Sequence, residues 1–110
     1  MRRLIFSFIS IASLFAVQAR ATSVDLLCEL GQSMTVIGDH SRDNRIELQW
    51  KGRSYYLQRV STSTGAHRFE DIQSGLIWIG IPAKAMLLDS RLGMPVANEC
   101  KAATQHRAAR

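Results

Sequence analysis

Two cysteines, Cys28 and Cys100, bracket almost everything in this chain that has the composition of a folded domain. What precedes them is a leader. Met1 to Ala21 opens on Arg2-Arg3, runs through the apolar stretch Leu4 to Val17, and closes on Ala19-Arg20-Ala21, the small-x-small pattern of a signal-peptidase site. The apolar run is short for a membrane crossing, which takes about 20 residues. Cys28 follows Asp25-Leu26-Leu27 rather than the small residues of a lipoprotein site, so no membrane anchor is expected after cleavage. An even cysteine count in an exported chain reads as a disulfide. A bridge from Cys28 to Cys100 would close nearly the whole domain into one loop, restricting the unfolded chain by roughly 4 kcal/mol on the chain-entropy account.

The chain has 110 residues, so removing the leader leaves about 90, enough for one small domain. Three of its 14 Lys and Arg residues, Arg2, Arg3 and Arg20, leave with the leader, and the rest only slightly exceed the nine acids. No basic block remains, which argues against a nucleic-acid surface. The expected organisation is a signal peptide over 1–21, one domain over 22–100, and a disordered tail, KAATQHRAAR, over 101–110.

Within the domain, apolar residues recur at every second position in short runs, the spacing of strands. Leu26, Cys28 and Leu30 share a face, as do Met34 and Val36. Arg45 to Lys51 alternates cleanly, with Ile46, Leu48 and Trp50 on its dry side. Lys51-Gly52 predicts a tight hairpin into Arg53 to Val60, where Tyr55-Tyr56 puts an aromatic on each face. A nearly all-apolar strand, Leu76 to Ile81, follows the Ser74-Gly75 turn, and Lys84 to Leu88 and Val96 to Cys100 complete the series. In that last strand Cys100 falls on the parity of Val96 and Asn98. Seven or eight short strands without a substantial helix predict a small antiparallel barrel or sandwich.

Chemistry-bearing residues are sparse. His40, His67 and His106 are scattered over two loops and the tail, with no metal-ligand spacing, and no cofactor is expected. Asp43, Glu47, Glu70 and Asp71 have no nucleophile or base fixed beside them, so no enzyme is read here. Ser61-Thr62-Ser63-Thr64 has the composition of a solvated loop, and Lys84 that of a strand-edge charge that discourages aggregation.

Taken together, the leader, Cys28-Glu29-Leu30-Gly31, the loop Ser63-Thr64-Gly65-Ala66 with Phe69-Glu70 after it, Gly75-Leu76-Ile77-Trp78, Ala85-Met86-Leu87 and Cys100 resemble the bacterial membrane-bound and periplasmic inhibitors of c-type lysozyme. The resemblance implies an all-β fold, a small antiparallel barrel of about eight strands closed by one disulfide. It further implies a periplasmic or secreted protein whose partner is a c-type lysozyme, blocked by a Ser/Thr-Gly loop and a nearby lysine. The partner-binding set would be Ser63, Thr64, Gly65, Arg68 and Lys84. Three features depart from the family's pattern: Thr64 stands where it has serine, His67-Arg68-Phe69 carries one residue more than its basic-aromatic pair, and the available lysine, Lys84, comes about three residues later than the family's. The other reading is a small envelope barrel that binds something else or serves structurally.

Overall fold

A computed structural model describes residues 22–103; the expected leader over 1–21 and most of the expected tail lie outside the described residues. The chain forms eight strands: β1 (Ser23–Leu27), β2 (Ser33–Ile37), β3 (Arg45–Trp50), β4 (Arg53–Val60), β5 (His67–Glu70), β6 (Leu76–Ile81), β7 (Lys84–Asp89) and β8 (Met94–Ala102). Each pairs antiparallel with its neighbour in sequence, and β8 returns to β1, closing a barrel. The domain boundary therefore extends past Cys100, because Lys101 and Ala102 pair with Leu27 and Leu26.

Period-two patterning builds the interior. Ile46, Leu48 and Trp50 of β3, Leu57 of β4, Phe69 of β5, Leu76 and Trp78 of β6 and Leu87 of β7 are all buried, while their sequence neighbours face outward. Fully burying a side chain of this size stabilises by about 1.5 to 3 kcal/mol, so closing the barrel on one such face per strand supplies most of the driving force. The Lys51-Gly52 turn has φ of +48° and +75°, the two left-handed residues a two-residue hairpin needs to match strand twist. Tyr55 packs against the core and Tyr56 stays outside, with the Arg45 guanidinium 4.5 Å from its ring centroid.

Gly80 has a different task. A Cβ built there would sit 2.5 Å from Cη2 and 2.7 Å from Cζ3 of Trp78, so the outer edge of the indole occupies the space the missing side chain leaves. Phe69 meets the same indole edge-on, with ring centroids 6.0 Å apart.

Cys28 and Cys100 are joined in a disulfide beside the β1–β8 seam. Two expected facings are corrected. Leu30 is 95% exposed, because the chain leaves β1 after Leu27 and makes a 3-10 turn over Glu29–Gly31 in which Leu30 has φ of +61°. The inward partner of Cys100 is Ala97, not Val96 or Asn98: Glu99 takes φ of +52° where the β7–β8 register shifts, and that bulge changes the strand's phase.

Candidate functional site

Alternating strand direction sorts the connections between two barrel ends. Three emerge together at one end: residues 38–44 between β2 and β3, residues 61–66 between β4 and β5, and the Pro82-Ala83 turn between β6 and β7. All the expected partner-binding residues lie on or beside the last two of these.

The 61–66 loop is braced from within. Thr62 Oγ1 donates to the Ala66 carbonyl at 2.7 Å, and the Ala66 N–H donates to Thr64 Oγ1 at 3.4 Å. Thr64 thus accepts through its oxygen and keeps its own proton for an outside acceptor. Ser63 and Gly65 are exposed beside it, Gly65 at φ of +81°. Below the loop a cavity of about 390 Å³ is floored by Arg68, Glu70 and Ile79 on the barrel's outer wall. Arg68 is held there: its Nε and Nη2 both donate to Glu70 Oε1, at 2.8 and 2.6 Å.

Lys84 starts β7 opposite Ile81, across a two-residue turn in which Pro82 sits. Pro82 thus ends β6 rather than bending it onward, and Lys84 points off the next strand. The pairing of His67 with Gly80 sets this hairpin next to the 61–66 loop. Lys84 is not a bare cation. Its Nζ donates to Glu99 Oε1 on β8 at 2.6 Å, and this hydrogen bond holds the Glu99 carboxyl below the ordinary carboxylate range.

The same barrel end holds a cluster that the sequence reading treated as dispersed. Arg59 points inward, over the Phe69 ring at 4.6 Å, and donates from Nη2 to the His40 carbonyl (2.6 Å) and from Nε to the Asp43 carbonyl (3.0 Å). Its Nη1 lies 3.0 Å from His67 Nδ1. The His40 ring meets His67 edge-on at 5.6 Å and tilts over Trp78 at 5.2 Å, stoppering the interior. Burial, then the charges of His67 and Arg59 over the opposing pull of Asp39, keep the His40 imidazole pKa below its ordinary value. His40 and His67 are brought together because the 38–44 and 61–66 connections share one barrel end, and His67 opens β5. Only the parity of Tyr55, Leu57 and Arg59 could have marked the arginine as inward from sequence. Among the described residues no three His, Cys, Asp or Glu side chains converge as metal ligands.

Comparison with models of protein families, with curated proteins and with solved structures finds no match for this chain.

Proposed function

We propose that this protein is an exported inhibitor of c-type lysozyme that acts by filling the enzyme's cleft, a binding role rather than a catalytic one. One observation supports this above the others: the braced Ser/Thr-Gly loop and the hairpin bearing Lys84 project side by side from one end of a closed barrel. A lysozyme cleaves with two carboxyl groups flanking the scissile bond. A lysine inserted between them pairs with both and excludes the sugar, and a threonine hydroxyl with a free proton can donate to a carboxylate alongside. Lys84 would exchange the single, exposed Glu99 carboxylate for two in a cleft that excludes water, where each charge contact counts for more.

The second reading, a barrel for a different envelope partner, draws on that same Glu99 contact, which leaves Lys84 already engaged. Titrating a c-type lysozyme in a cell-wall lysis assay separates the two. The inhibitor reading expects wild type to block lysis, Lys84→Ala to weaken inhibition by about 30-fold or more, and Thr64→Val to weaken it less, by about the worth of one neutral hydrogen bond. Wild type that leaves several c-type lysozymes untouched would refute it; a fully active Lys84→Ala would move the role to Arg68.

A further inference from the structure

Toward the Lys51-Gly52 end of the barrel, β4 runs on past the strand beside it and leaves an edge open. β4 pairs with β3 from Arg53 through Gln58, but with β5 only at Gln58, Arg59 and Val60. β5 is four residues long, and after Glu70 the chain turns away. That turn closes on itself: the Gly75 N–H donates to the Asp71 carbonyl at 2.9 Å, and the Asp71 N–H to the Leu76 carbonyl at 3.0 Å. The Arg59 N–H donates toward the β3 side, to Asn44 at 2.8 Å. Alternation along an antiparallel strand then aims the N–H and C=O of Leu57, Tyr55 and Arg53 the same way, and those of Ser54 and Tyr56 away from β3. Among the described residues no hydrogen bond reaches Ser54 or Tyr56 from that side.

The space beside this edge is a cleft of about 960 Å³ between β4 and the Asp71–Gly75 turn. Ile72, 95% exposed, stands on its lip. Of the cleft's acids only Glu70 is neutralised by a cation, so its three arginines outnumber the two carboxylates, Asp71 and Asp89, that keep their charge. Glu70 is held by Arg68, Asp71 accepts from Ser74 Oγ at 2.6 Å, and Asp89 accepts the Arg91 N–H at 2.8 Å. Arg45, Arg53 and Arg91 line the same cleft, and none of the ion pairs among the described residues uses any of them.

We propose that the Arg53–Leu57 edge of β4 is a docking strip for an extended acidic peptide segment of a partner protein, which joins the sheet as a strand antiparallel to β4. The segment takes the place that β5 vacates, so it runs in the direction of β5. Its backbone satisfies Ser54 and Tyr56, and its carboxylates meet three guanidinium groups that no acid pairs, Arg45 stacked over the Tyr56 ring and Arg91 bonded to the Gln73 carbonyl among them; about 17 Å of edge accommodates roughly five residues. A second copy of this chain is the poorer occupant, because β4 paired with itself would bring these same arginines against one another. The open edge starts at the Lys51-Gly52 turn, at the far end of the barrel from Lys84, and does not depend on the inhibitor reading.

The probe is a blocked peptide, Thr-Glu-Val-Glu-Val-Glu-Thr, titrated into isotope-labelled protein and followed by amide NMR. Expected are shifts centred on Arg53, Ser54 and Tyr56, with slowed hydrogen exchange at the Ser54 and Tyr56 amides. A lysine-for-glutamate version and a fully N-methylated version should not bind, and Arg53→Glu should weaken binding by at least about tenfold while leaving any lysozyme inhibition unchanged. If that variant does not fold, as judged by circular dichroism, Arg91→Glu replaces it. No shift at about 1 mM peptide, the weak limit for a specific contact, overturns the proposal. So does binding that survives N-methylation, which would be charge attraction alone, or self-association through this edge in sedimentation equilibrium.

Discussion

Replacing Gly80 by alanine adds one methyl group against the buried Trp78 indole. That carbon would stand 2.5 Å from Cη2, 2.7 Å from Cζ3 and 3.4 Å from Cζ2 of Trp78. Carbon atoms rest about 3.5 to 4.0 Å apart, so the outer ring of the indole must retreat by about 1 Å. It has nowhere to go cheaply: Trp78 is 2% exposed, with Phe69 against it and His40 over it. Overpacking of this kind costs about 1 to 3 kcal/mol, and each kcal/mol lowers the melting temperature of a domain this small by about 4 to 8 °C. The offending atoms belong to the part of the indole that phenylalanine lacks. A double-mutant cycle therefore isolates the contact: Gly80→Ala should cost much less in a Trp78→Phe background, with a coupling of about 1 kcal/mol or more. Urea unfolding followed by far-ultraviolet circular dichroism measures all four proteins. An alanine variant as stable as wild type, or an equal cost in both backgrounds, would refute the reasoning.

Cys100→Ser, which opens the covalent link across the seam, should destabilise by about 2 to 5 kcal/mol, read as a lower urea midpoint under oxidising conditions. Gly52→Ala keeps the open space around the turn but puts a Cβ at φ of +75°, and should cost about 1 kcal/mol by the same measurement. Because burial holds the folded His40 pKa below the ordinary imidazole value of 6.5, the unfolded chain binds the extra proton first. Stability is then complete above that value and declines as the pH falls through it toward the lower folded pKa; His40→Gln should flatten this part of the urea-midpoint profile.

The strands were legible where one face is dry and one wet. Arg45 to Lys51 announces its inward residues by alternation alone, whereas Leu76 to Ile81, nearly all apolar, announces a strand but not which face turns inward; β3 and β6 match the two within a residue. Alternation fails where the backbone breaks its own period. Nothing in Asn98-Glu99-Cys100 signals that Glu99 goes left-handed and resets the phase of β8, and nothing in Cys28-Glu29-Leu30 says that the chain has already left its strand. The candidate site could be read as a loop and a lysine but not as a set of contacts. Lys84 and Glu99 meet only because β7 pairs with β8, and His40 and His67 only because two loops share an end of the barrel. Such meetings belong to closure, and local sequence does not encode them.

Every connection from β2 onward, the exposed 61–66 loop included, lies inside the covalent ring that Cys28 and Cys100 define. A protease that cuts one of these loops severs the chain without releasing a piece of it. The two fragments stay tethered at high effective concentration, each still paired with the other along the sheet. A nicked molecule should migrate as intact protein on a non-reducing gel and as two bands once reduced, and it should keep its β-sheet circular dichroism until the thiols are freed. Exposed loops are the ones proteases find first, and here their cleavage is survivable.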